Sequence, residues 1–167
     1  MKKNINKLIL TAMLAALTCV ATLIIKLPSP LNGYINLGDC VVLLSGWLLS
    51  PALGFCAAGI GSGLADLISG YPLYIPATFI IKGLMAVVAY YVFKALSKGT
   101  YSTVARIISA LSAEVVMVLG YYVFEGFIYG FIPSAVNIPA NGVQGVAGII
   151  IGTVLIKIFE KNKLIKL

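Results

Sequence analysis

The sequence predicts an all-α membrane protein, one domain of six transmembrane helices over residues 1–167, with both termini cytoplasmic. Three observations lead there. The chain is 60% hydrophobic and only 10% charged, and its mean hydropathy of +1.05 is far above that of a soluble domain. Apolar runs fill it, parted by short polar or Gly/Pro-rich breaks, and a spanning helix needs about 20 mostly apolar residues. Ten of the twelve basic residues form three clusters: Lys2, Lys3 and Lys7; Lys94, Lys98 and Arg106; Lys157, Lys161, Lys163 and Lys166. The positive-inside rule accounts for a net charge of +7 distributed this way, without any nucleic-acid partner. It places both termini and the 94–106 loop in the cytoplasm, so the number of spans is even.

Span 1 is expected over residues 8–25. Its lysine-rich start imitates a signal peptide, but the apolar run reaches Ile25, beyond the usual signal core. The stretch Ala16-Leu17-Thr18-Cys19 is a poor cleavage site, so an uncleaved helix is expected. A loop over 26–36 contains Pro28, Pro30, Asn32 and Gly33. Span 2, residues 37–49, is short. Ser50-Pro51 makes a tight inner turn, and Pro suits the first turn of the following helix. Span 3 covers 51–68 and ends at the turn Ser69-Gly70-Tyr71-Pro72. Span 4 covers 73–93, span 5 covers 103–124 and span 6 covers 139–159, with an outer loop at 125–138. Gly54, Ala57, Ala58, Gly59, Gly61, Ser62, Gly63 and Ala65 make span 3 dense in small residues, which let helices approach closely. That density predicts a central position for span 3. Gly59-x-Gly61-x-Gly63 lacks the Lys-Ser/Thr of a nucleotide loop and lies inside a span. Cys19, Cys40 and Cys56 have no metal-ligand spacing and the chain has no His, so they read as packing residues, and neither metal nor cofactor is expected.

Asp39, Asp66, Lys82 and Glu114 interrupt the apolar runs. Each costs about 2.5–3.5 kcal/mol at bilayer depth, so each is expected to face a partner, a cavity or a substrate. Lys82 lies about nine residues into span 4 and Glu114 about eleven before the end of span 5; these matched depths predict a Lys82–Glu114 ion pair, either structural or the floor of a cavity. Nearer the outside, Asp39 opens span 2, Asp66 closes span 3 and Glu125 closes span 5. Residues three or four apart share a helical face. Tyr74, Thr78 and Lys82 form one stripe, Glu114, Val118, Tyr121 and Glu125 a second, and Asn137, Asn141, Gln144 and Gly148 a third. Together they predict a water-accessible pocket open to the outside, with hydrogen bonding from carboxylates and amides and stacking on tyrosine. That chemistry suits a small, flat, polar ring, and the lack of a basic cluster there argues against a strongly anionic ligand. On span 1, Ala12 and Ala16, with Ala15 beside them, make a flat face for another helix, from the bundle or from a separate subunit.

The blocks Tyr34-Ile35-Asn36-Leu37-Gly38-Asp39, Gly61-Ser62-Gly63-Leu64-Ala65-Asp66-Leu67 through Tyr71-Pro72, Pro76 to Lys82-Gly83, and Asn137-Ile138-Pro139-Ala140-Asn141-Gly142-Val143-Gln144 carry a resemblance. Over nearly its whole length the chain resembles the substrate-binding S components of energy-coupling factor (ECF) vitamin transporters. Ala12-x-x-x-Ala16 resembles their Ala-x-x-x-Ala motif for meeting the shared transmembrane coupling subunit. The resemblance implies a non-enzymatic subunit that captures a water-soluble vitamin or precursor from outside. Loops between spans 1–2, 3–4 and 5–6 would close over it. The subunit would tilt after docking, and two cytoplasmic ATPases would power release inward. Asn36, Asp39, Asp66, Tyr74, Lys82, Glu114, Tyr121, Glu125, Asn137, Asn141 and Gln144 would bind substrate, and Ala12 and Ala16 would dock the partner. The Asp39, Asp66 and Lys82 blocks favour a pyridoxine-like or hydroxymethylpyrimidine ring, with riboflavin next. Other readings stay open. A self-sufficient secondary transporter or channel would relay ions through Lys82 and Glu114, though no inverted repeat is visible. An intramembrane enzyme would use Asp39 and Asp66 as a dyad. A purely structural subunit would bind nothing.

Overall fold

The computed structural model describes residues 2–29, 31, 33–97 and 102–162. Pro30 and Asn32 of the first connection, Lys98 of the basic loop, and Lys163 and Lys166 of the tail lie outside the described residues, as do the side chains of Lys2 and Lys3. Helices α1 (Lys2–Ile24), α2 (Gly38–Leu48), α3 (Pro51–Ser69), α4 (Ile75–Ser97), α5 (Thr103–Tyr129), α6 (Phe131–Ser134) and α7 (Ile138–Lys161) form one bundle. The helices α1, α3, α4, α5 and α7 are long and apolar enough to cross a membrane. Their exposed faces carry large apolar side chains such as Ile9, Leu67, Ile80, Val115 and Val146, as lipid contact requires.

The expected second span, 37–49, is a helix, but one too short to cross a membrane by itself, with consequences for depth. α2 has 11 residues, about 16 Å of helix against a hydrocarbon core of about 30 Å. Gly38 through Trp47 are all buried, because α1, α3, α4 and α7 pack around them. The centre of the bundle is therefore α2. The small residues of α3 serve instead to bring α1 and α4 close on either side of it. α3 stops at Gly70, whose φ of 81° favours glycine. The returning Tyr71 N–H donates to the Asp66 carbonyl at 2.9 Å.

Two connections hold more structure than the sequence predicted. Residues 26–36 contain an antiparallel hairpin, β1 (Lys26–Pro28) and β2 (Tyr34–Asn36), pairing Leu27 with Ile35. The expected 125–138 loop is mostly helical. α5 continues through Glu125 and Gly126 to Tyr129, and α6 with the 3-10 turn Ala135–Asn137 leads into α7. Gly126 lies inside α5, and its missing side chain makes room for Phe131, whose ring would lie 2.5 Å from an added Cβ.

Arg106 is likewise not a free loop charge. It is 1% exposed and ion-paired to Glu160 of α7. Its guanidinium lies 4.2 Å from the Phe93 ring centroid and 5.1 Å from that of Trp47. The Trp47 indole donates to Ser109 Oγ at 2.9 Å. This node ties α2, α4, α5 and α7 together at one end of the bundle. Of the cysteines, Cys40 is buried, Cys19 half-buried and Cys56 exposed on α3, so Cys56 is not a packing residue within the bundle.

Candidate functional site

The opposite end of the bundle is closed by the hairpin. The Tyr34 hydroxyl on β2 donates to Asp66 Oδ1 of α3 at 2.7 Å. Burial and the adjacent Asp66 carboxylate push the Tyr34 hydroxyl well above the ordinary phenol range, so it stays a donor. Lys26 on β1 donates to Ser69 Oγ at 3.0 Å. Asn36 ends β2 and joins the hairpin to two helices: its Oδ1 accepts from Gly38 N–H at 2.9 Å and its own N–H donates to Gln144 Oε1 of α7 at 2.8 Å. Rings continue the wall, with Tyr34 and Tyr71 centroids 5.2 Å apart and Tyr74 and Phe124 centroids 5.3 Å apart.

Behind the hairpin lies a cavity of about 40 Å³ lined by Ser29, Gly33, Tyr34, Asn36, Asp66, Tyr71, Tyr74, Thr78, Tyr121, Glu125, Asn141 and Gln144. Seven residues expected to bind substrate meet here: Asn36, Asp66, Tyr74, Tyr121, Glu125, Asn141 and Gln144. Asn137 stands behind the wall, its Nδ2 donating to both Glu125 oxygens at 3.0 Å. Sequence reasoning missed Ser29, Gly33, Tyr34 and Tyr71 because they sit in connections, where helical spacing says nothing. Tyr34 carried a signal, standing in the block just before α2. A cavity needs roughly 10–15 Å³ to hold one water, so this one has room for a few waters and not for an aromatic ring.

Asp39, Lys82 and Glu114 lie beneath the cavity, off its lining. The expected Lys82–Glu114 pair is not formed. Lys82 Nζ bonds Asp39 Oδ1, and Gln144 Nε2 donates to Asp39 Oδ2 at 2.7 Å. The reason is the length of α2, which starts beneath the rim of the bundle. Asp39 packs against Gly148, about 15 Å along α7 from Ile138. Asp39 is therefore fully buried rather than at the rim, in the first turn of α2, where the helix dipole favours an anion. Lys82 also lies 5.6 Å from the Tyr121 ring centroid. Both Glu114 oxygens are buried with no hydrogen-bond partner. The predicted α5 stripe accordingly divides, with Tyr121 and Glu125 on the cavity and Glu114 and Val118 on an apolar groove between α5 and α7. Ala12 and Ala16 are exposed on α1.

A family model described as ECF-type riboflavin transporter, S component, matches residues 2–161. An uncharacterized protein of Pyrococcus woesei is 36% identical over 144 residues, covering 86% of this chain and 94% of that one. The thiamine precursor transporter HmpT of Lactococcus lactis subsp. cremoris (strain MG1363) is 27% identical over 164 residues, covering 96% of this chain and 91% of that one. A solved S component of a bacterial ECF transporter superposes with a TM-score of 0.70 at 23% identity, over 98% of this chain and 99% of that one, and so shares the fold. The chain belongs to the ECF-type riboflavin transporter S component family, and is a multi-pass membrane protein.

Proposed function

We propose that this subunit captures a water-soluble vitamin or precursor from outside the cell in the hairpin-covered cavity. It then passes the cargo inward through a transmembrane coupling subunit driven by two ATPases, with no catalysis of its own. The observation that carries this is the cavity wall of four tyrosines, amides and the carboxylates Asp66 and Glu125, with no basic side chain among the described lining residues. Its orientation follows from charge. Lys94 in the last turn of α4, Lys161 in the last turn of α7 and the Arg106 node mark the far end, which the positive-inside rule assigns to the cytoplasm.

The wall favours a neutral or weakly basic ring with hydroxyl or amino groups, pyridoxine-like or a hydroxymethylpyrimidine. Riboflavin is the second reading, favoured by the matching family model, while the Lactococcus relative's description as a thiamine precursor transporter favours the small ring. For docking, the exposed Ala16 borders an apolar groove formed with Leu10, Met13 and Leu17 of α1, Leu44 of α2 and Phe159 of α7. A partner helix could settle there, and small residues permit close approach.

Mass spectrometry of small molecules co-purifying with the detergent-extracted protein tests the cargo, with a heteroaromatic vitamin or precursor expected. Vesicles holding only this chain should show no concentrative uptake. Strong uptake without ATPases would overturn the proposal in favour of a secondary transporter.

A further inference from the structure

We propose that Asp66 selects an N–H donor, so that the ring taken up carries a primary amine. This rests on the cavity being the vitamin site. Three tyrosine hydroxyls on the wall give their hydrogens to the protein. Tyr34 donates to Asp66 Oδ1 at 2.7 Å, Tyr121 to Thr78 Oγ1 at 3.0 Å, and Tyr74 points at the Leu31 carbonyl and Glu125 Oε1, both at 3.4 Å. What these hydroxyls have left for a ligand is lone pairs. Asp66 adds a further acceptor: the residue is 5% exposed, and its Oδ2 is buried with no hydrogen-bond partner. A buried acceptor without a donor is destabilising, and a ligand hydrogen removes that cost.

An amine suits this wall best. Its two N–H groups can serve Asp66 Oδ2 and a hydroxyl lone pair together. A ring carbonyl at the same position would set lone pair against lone pair. A ring hydroxyl brings one hydrogen and leaves the second acceptor unserved. Sites built to bond a substrate N–H or O–H reject analogues lacking it far more strongly than apolar pockets reject a missing methylene.

The test is calorimetric titration of the purified full chain with a hydroxymethyl aminopyrimidine and with its oxo counterpart, alongside pyridoxine and riboflavin. The wild type should prefer the amine by about 100-fold or more. Asp66→Asn, whose amide can donate, should narrow or reverse that preference by at least about tenfold. Asp66→Ala should weaken the amine without helping the oxo ring. Equal wild-type affinity for the amino and oxo rings overturns the inference and leaves the vitamin site standing, and so does tighter binding of pyridoxine or riboflavin. An unchanged preference in Asp66→Asn does the same. Failure of all four compounds to bind removes the vitamin reading and the inference with it. The wild-type comparison decides the matter even if a variant does not fold.

Discussion

Lys82 of α4 is held by Asp39 of α2, while Glu114, at similar depth on α5, has both carboxyl oxygens without a hydrogen-bond partner. Removing one member of a buried pair strands the other, at about 3–5 kcal/mol. Lys82→Met should therefore destabilise the protein by about that much. Adding Asp39→Leu should recover part of the loss, and adding Glu114→Leu should recover less. Thermal or denaturant unfolding in detergent measures all four proteins, the wild type included. Equal rescue by the two second changes would mean that Lys82 serves both carboxylates alike.

Gly148 is the point where α7 meets this cluster. A Cβ there would lie 2.8 Å from Asp39 Cβ and 2.9 Å from Glu114 Oε1. Overpacking of this kind costs about 1–3 kcal/mol, so Gly148→Ala should lower the unfolding midpoint. Gly142→Ala, with nothing within 4 Å of its added Cβ, should be nearly neutral. Equal effects at the two sites would contradict the close approach.

The Arg106 node can be followed by fluorescence, since Trp47 is the chain's single tryptophan. Arg106→Gln removes the cation from above the indole and the partner from Glu160. It should shift the emission and destabilise by about 2 kcal/mol or more. Asp66→Asn, at the cavity end, should leave the emission unmoved. An unaltered spectrum in Arg106→Gln would show that the guanidinium does not sit on Trp47.

Asn141 lines the cavity from the first turns of α7. Asn141→Ala should weaken ligand binding tenfold or more, about 1.4 kcal/mol, with the ligand-free unfolding midpoint unchanged. Calorimetry and thermal unfolding separate the two effects. Unchanged affinity in both Asn141→Ala and Asp66→Ala would remove the cavity as the binding site.

Ala12 and Ala16 are exposed on α1. Ala12→Trp with Ala16→Trp should abolish uptake in cells carrying the coupling module while leaving ligand affinity as it was. Surviving transport would move the docking face elsewhere.

Much of this protein could be read along the chain. The apolar runs and the breaks between them mark the helices, because a bilayer demands long apolar segments whatever their neighbours. Helical spacing found Tyr74, Tyr121, Glu125, Asn141 and Gln144, since residues three or four apart must share a face. Spacing could not find Tyr34 or Tyr71, whose positions depend on how the connections fold back over the bundle. Nor could it pair the charges. The prediction matched Lys82 with Glu114 by counting residues from the span ends, as though every span began at one level. α2 is half a membrane long and begins deep, and that alone carries Asp39 down to Lys82. The sequence by itself thus determined the membrane class, the spans and which polar side chains share a face, because these follow from hydrophobicity and helical period. Only the tertiary structure decided depth and partnership, because these depend on how far each helix is displaced along its axis when its neighbours pack against it.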